Sequence, residues 1–157
     1  MNDAKTSVDE IAMPVLLRHA RVTYGSAMRR ALAEAGYDDI PKNGLYVIGG
    51  LALDSSDVPL SQIIRELRVS KQAAGQLVDA LVLRGYLERT VDPQDRRKLS
   101  VTLTERGRAA AATQAKALGE IDAQLIARVG QEDVSRTRRT LAALIDLGDR
   151  CAESDEP

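Results

Sequence analysis

Leu60 to Leu103 reads LSQIIRELRVSKQAAGQLVDALVLRGYLERTVDPQDRRKLSVTL, and this stretch decides the fold. Leu60, Ile63, Ile64 and Leu67 fall at i, i+3, i+4 and i+7, the apolar face of one helix. Arg68-Val69-Ser70 interrupts the run, and Ser70 can cap a second helix by accepting an orphan amide of its first turn. That helix buries Ala74, Leu77, Val78 and Leu81 and shows Lys71, Gln72, Gln76 and Asp79 to solvent. Gly85 ends it, behind Arg84 in the last turn. Leu87–Val91 and Lys98–Leu103 then alternate as two strands, with Leu99, Val101 and Leu103 facing inward. Between them Asp92-Pro93-Gln94-Asp95-Arg96-Arg97 is a turn with a cationic tip. Two helices at a sharp angle followed by a basic hairpin make a winged helix-turn-helix. Such a unit places one helix in the major groove of DNA and its wing in the adjacent minor groove.

The same residues resemble the MarR (multiple antibiotic resistance regulator) family of bacterial transcription factors. The pieces that match are Val69-Ser70-Lys71-Gln72-Ala73-Ala74, Gln76-Leu77-Val78-Asp79, Leu81 and Arg84-Gly85-Tyr86-Leu87-Glu88-Arg89. They continue as Asp92-Pro93, Asp95-Arg96-Arg97 and Val101-Thr102-Leu103-Thr104-Glu105-Arg106-Gly107. The resemblance implies a mainly α fold, a winged helix-turn-helix with a helical dimerisation region, about six helices and a two-stranded wing. It implies a sequence-specific, double-stranded DNA-binding regulator, ligand-responsive and acting as a repressor, whose two protomers interlock through their terminal helices.

Chemistry assigns the contacts. Gln72 and Gln76 lie one turn apart, and glutamine can bond bidentately to adenine; Lys71 suits a phosphate or a guanine. Ser70 and Ala73 share the leading turn of this helix. Ala73 and Gly75 stand where the family often has hydroxyl residues, which removes hydroxyl contacts and lets the helix sit closer. By resemblance, Arg97 enters the minor groove, where narrow A·T tracts concentrate negative potential. Asp95 would hold Arg97 or Arg89 by a charge-assisted bond. Arg96 and Lys98 are phosphate contacts of a more generic kind.

At 157 residues the chain is one domain's length, and 44% hydrophobic with 29% charged residues is ordinary for a globular protein. No apolar run approaches the roughly 20 residues of a membrane span, and no signal-peptide core is seen, so a cytoplasmic, nucleoid-associated protein with no membrane partner is expected. The single cysteine, Cys151, excludes an intrachain disulfide. Net charge is −1, yet Arg84, Arg89, Arg96, Arg97, Lys98, Arg106 and Arg108 crowd the wing while acids gather at both ends. A local basic surface is enough for phosphates.

Along the chain, a first helix is expected from about Met13 to Ala35, striped by Leu17, Ala20, Tyr24, Ala27, Met28, Ala31 and Ala35 and ended by Gly36. Pro41 opens a short glycine-rich helix to about Ala52, and Leu53 to Pro59 reads as a loop. Thr104 caps a long Ala-rich helix to about Val129, with Ala115, Leu118, Ile121, Leu125 and Val129 as its seam. After Gly130 a last helix runs to about Asp149, with Val134, Leu141, Leu144 and Ile145 inward. The whole, 1–157, is one domain: a DNA-binding lobe at 37–103, a dimerisation lobe at 10–36 plus 104–151, and a disordered tail at 152–157.

The terminal helices carry more apolar stripe than one winged helix can cover, so a second copy is the expected partner. The resemblance also implies a cleft for a small anionic or aromatic effector, which Arg18, His19, Arg21, Tyr24 and Tyr46 would line. An enzyme is not expected. His19 is the only histidine, no phosphate-cradling glycine motif is present, and acids such as Asp92 sit among arginines. No metal site and no cofactor are expected. The rival reading is a winged-helix protein-interaction module without DNA binding, its basic wing meeting an acidic protein.

Overall fold

The computed structural model describes residues 7–53, 58–59, 70–91 and 99–154. A 3-10 turn, Val8–Glu10, leads into helix α1, Met13–Glu34. Then come α2 (Gly44–Leu53), strand β1 (Val58–Pro59), α3 (Lys71–Leu83), β2 (Leu87–Val91), β3 (Leu99–Leu103), α4 (Glu105–Val129) and α5 (Gln131–Ser154). The fold is mainly α, as expected. The helix anticipated over Leu60–Leu67 lies outside the described residues, as does the wing turn.

The sheet is antiparallel, and the two expected strands, β2 and β3, pair with Leu87 opposite Leu103 and Val91 opposite Leu99. It also has a third strand that the sequence reading missed. Val58 pairs with Val101 and Pro59 with Ser100, so the order is β1-β3-β2. A two-residue strand is too short to show alternation, and a proline masks it further. Pro59 is tolerated because β1 lies at the sheet's edge, where a missing N–H costs no ladder bond.

Three helix ends behave as their glycines foretold: Gly36, Gly85 and Gly130 adopt φ of 82°, 73° and 88°. Helix α2 starts at Gly44 rather than at Pro41, which stays in the preceding turn and accepts the Gly44 amide at 2.7 Å. A side chain at Gly44 would lie 2.9 Å from Leu81 Cδ2, so the glycine lets α2 sit directly on α3.

One core joins these elements. Met28 and Leu32 of α1 pack with Leu45 and Ile48 of α2, Val78 and Leu81 of α3, Tyr86, Leu87, Val101 and Leu103 of the hairpin region, and Ala110 of α4. Each large apolar side chain buried there contributes about 1.5–3 kcal/mol. On α1 burial is confined to Gly25, Ala27, Met28 and Leu32. Of the expected stripe, Leu17, Tyr24 and Ala31 are half-buried, and Ala20 and Ala35 are exposed.

On α4 the buried face is Gly107, Ala110, Ala111, Gln114 and Ala117, not the expected seam. Leu118 and Ile121 are half-buried, while Ala115, Leu125 and Val129 are exposed. The small residues face inward because close approach of the helix, rather than side-chain bulk, fills that space. Gln114 is among them, its amide donating to the Leu45 carbonyl at 3.0 Å.

By its own packing the chain divides into two compact units, after Leu118. The first compact unit therefore contains α1 and the first half of α4 as well as the hairpin and α3. The second unit begins at Gly119 and holds the rest of α4 with α5, tied by Arg138 to Asp122 at 2.6 Å. Helix α5 runs to Ser154, past Ala152 where disorder was expected. Of its supposed inner residues Val134 is buried and Leu141 half-buried, but Leu144 and Ile145 are exposed.

Gly107 has the least room of the described glycines. A Cβ there would collide with the Tyr86 carbonyl oxygen, which belongs to backbone and cannot step aside. Gly107→Ala should therefore cost about 1–3 kcal/mol, the usual range for overpacking. Urea unfolding would measure it, and an unchanged midpoint would contradict this packing.

Candidate nucleic-acid interface

Helix α3 presents one polar face. Ala74, Val78 and Leu81 are buried with almost no exposed surface, and Leu77 is half-buried. The opposite side, Lys71, Gln72, Ala73, Gln76 and Asp79, is exposed. Ser70 is the N-cap, its hydroxyl accepting the Ala73 amide at 3.2 Å. The cap satisfies one of the four amides that open any helix and fixes where the first turn begins. Ser70, Lys71, Gln72 and Ala73 thus form one exposed leading turn, with Gln76 a turn behind. That brings together five of the residues expected to meet DNA.

Arg89 is brought to the same helix by a different route. In the hairpin register it lies opposite Val101, on the side of the sheet shared by Leu87 and Leu103. That side faces the core and α3, so the guanidinium meets the Asp79 carboxylate in a charge-assisted pair. Arg89 thus takes a partner from α3; the expected pairing with Asp95 lies outside the described residues. Strand alternation held the signal, since Arg89 stands two residues after the buried Leu87 and so on the same side of the strand. Asp95, Arg96, Arg97 and Lys98 lie outside the described residues.

Other basic residues near the hairpin are also committed. Arg108 donates to the Leu103 carbonyl at 2.6 Å. Arg106 donates to both Asp39 Oδ1 and the Tyr86 hydroxyl at 3.0 Å, and stacks over the Tyr86 ring at 4.6 Å. Tyr86 in turn donates to Asp39. Its ring is wholly buried, edge-on to Tyr37 at 6.2 Å. The sequence reading placed Arg106 in a free basic surface. The structure instead ties it to Asp39 and Tyr86, behind the end of α3.

These three groups tune one another. The hydrogen bond from Tyr86 holds the Asp39 carboxyl below its ordinary value, and the Arg106 charge works the same way. Burial pushes the Tyr86 hydroxyl up, with its bond to Asp39 adding to the effect. The bond to Tyr86 chiefly raises Arg106 further.

Of the expected effector residues, Arg21 and Tyr46 come together, the guanidinium 4.8 Å from the ring centre. Gly25 leaves room beside Tyr46, since a Cβ there would be 3.3 Å from the Tyr46 hydroxyl and 3.5 Å from the Arg29 guanidinium. Arg18 and His19 are exposed on α1, and Tyr24 is half-buried. Among the described residues, no group of three or more His, Cys, Asp or Glu side chains is placed to hold a metal ion.

The Asp39 carboxyl is lower in the folded protein than its ordinary 3.8, so it stabilises the fold above that value and ceases to as pH falls through its lowered one. Wild type should therefore melt higher than Asp39→Asn at about pH 6, and the gap should close toward about pH 2. Thermal melts across that range test this; a gap of constant size would contradict it.

Residues 47–98 match the model of the MarR family. No curated protein matches the chain. Among solved structures, Streptococcus pneumoniae FabT in complex with DNA is 20% identical, with a TM-score of 0.69 over 88% of this chain and 97% of that one. The Staphylococcus aureus MepR–DNA complex is 18% identical, TM-score 0.69, covering 87% and 98%. Escherichia coli MarR in its apo form is 20% identical, TM-score 0.64, covering 85% and 96%. No helix among the described residues is long and apolar enough to cross a membrane. Residues 47–98 are thus similar to the MarR family, in a chain that shares the fold of these solved proteins.

Proposed function

We propose that this chain is a DNA-binding transcriptional regulator, a homodimeric and ligand-responsive repressor that lays α3 in the major groove of a pseudo-palindromic operator. The observation that carries this is the capped, outward face of Ser70, Lys71, Gln72, Ala73 and Gln76 on a helix whose other side buries Ala74, Val78 and Leu81. Polar side chains so arranged, beside a hairpin with Asp95-Arg96-Arg97-Lys98 at its tip in the sequence, are suited to base edges and phosphates together. Two structures of similar fold were solved with DNA.

The dimer rests on apolar surface that one chain leaves in water. Met13, Val15 and Val22 on α1, Leu125 and Val129 on α4, and Leu144, Ile145 and Leu147 on α5 are all exposed. A second copy would cover such faces, and its two-fold axis would set the recognition helices about 34–36 Å apart. A small anionic or aromatic effector at Arg18, His19, Arg21, Tyr24 and Tyr46 belongs to the same proposal, supported by the Arg21–Tyr46 stack. It would act by favouring dimers whose helices no longer fit that spacing. The protein would work in the cytoplasm, on the nucleoid.

Selection of fragments retained from genomic DNA should return a common inverted motif; fragments with no shared sequence would contradict specific recognition. On the selected fragment, Arg97→Ala should cost about 1–3 kcal/mol with the dimer intact by sedimentation, and unchanged affinity would refute the wing contact. Gln76→Ala should relax discrimination at one base pair. Equal weakening on every sequence would mean that Gln76 contacts backbone instead.

A further inference from the structure

The end of α3 is held more firmly than helix termination requires. Gly85 already ends the helix, with its amide bonded to the Val82 carbonyl at 2.9 Å. Yet the next peptide is clamped as well. Thr104 donates its hydroxyl to the Gly85 carbonyl at 2.5 Å and its amide to the Tyr86 carbonyl at 3.1 Å. The same hydroxyl accepts the Gly107 amide at 3.0 Å, so one side chain both caps α4 and grips α3's exit. Gly107 then brings the α4 backbone against the Tyr86 carbonyl. Finally the Tyr86 side chain is fixed at its far end by Asp39, from the segment between α1 and α2, and by Arg106 of α4.

Two segments distant in sequence, that of Asp39 and the start of α4, therefore converge on Tyr86, placed between α3 and the first strand of the hairpin. Asp39 and Arg106 are each about two-fifths exposed, at 41% and 45%, so their ion pair alone adds little stability. The arrangement is better suited to orientation than to stability. A phenol held by an acceptor and a donor has one rotation about its ring axis and one depth. Its backbone inherits both. Resting on the DNA-binding reading above, we infer that Asp39, Tyr86 and Arg106 are positioning residues for DNA binding: they touch no base or phosphate, and they fix the angle at which α3 and the hairpin are presented together.

Tyr86→Phe removes the hydroxyl and keeps the buried ring; Arg106→Gln removes the charge and the stack. Both would be compared with wild type on a duplex recovered by the genomic selection, by anisotropy at several salt concentrations, with sedimentation and melting alongside. Tyr86→Phe should weaken binding about tenfold, the scale of one charge-assisted hydrogen bond, while the dimer persists. The slope of log affinity against log salt should stay at the wild-type value in both variants, because no phosphate contact is lost. Faster amide exchange at Val82–Leu87 in free Tyr86→Phe, with α5 unchanged, should accompany the loss.

Lower melting with undiminished affinity at working temperature would reduce the cluster to a structural tie and overturn the inference. A salt slope shallower by about one in Arg106→Gln would overturn it too, by making Arg106 a phosphate contact. Wild type that retains no fragment would overturn the DNA-binding reading itself, and this inference with it. Retention by wild type with variants unaffected would overturn this inference alone.

Discussion

Tyr86 is where the structure is most constrained. Its ring fills the core, its carbonyl touches α4, and its hydroxyl is shared between a carboxylate and a guanidinium. The peptide that joins α3 to β2 consequently has no freedom to pivot. Since α3 is anchored by Ala74, Val78 and Leu81 on one side, fixing its exit also fixes which side chains face outward. Packing decides that α3 stays; the Tyr86 cluster decides how it is turned.

That constraint changes the electrostatics of the surface. The basic residues around the hairpin look, in sequence, like one cationic field. Arg89 is paired with Asp79, Arg106 with Asp39, and Arg108 with a backbone carbonyl. These charges organise the protein before they could attract anything else. For a chain of net charge −1, long-range attraction to DNA would then be weak, and the proposed recognition would rest more on the exposed leading turn of α3, Lys71 included. Glutamines on the exposed face fit this balance, because a glutamine can bond to a base edge without adding charge for phosphate.

Much of this was legible in the residues. The face of α3, the Ser70 cap, the two hairpin strands and three helix-ending glycines follow from short-range rules, and each stands in the structure. What escaped was long-range or small. β1 is two residues with a proline, below the length at which alternation can be seen. The α4 seam went astray because Leu118 and Ile121 look more hydrophobic than Ala110, Ala111 and Ala117. Only tertiary contact reveals that close approach, set by Gly107 and the alanines, outranks bulk. Asp39 stands 47 residues before Tyr86, so no local pattern could pair them. Arg89 was the readable exception: alternation with Leu87 pointed it inward, and its charge suggested the opposite.

The central claim is that two copies of this chain hold a pair of recognition helices at the spacing of duplex DNA. Hydroxyl-radical footprinting of the full-length protein on a duplex recovered from genomic DNA tests it most directly. Two protected patches on one face of the helix, about 10 base pairs centre to centre and related by a dyad, are the predicted result. A single patch, or none on any duplex, would contradict it.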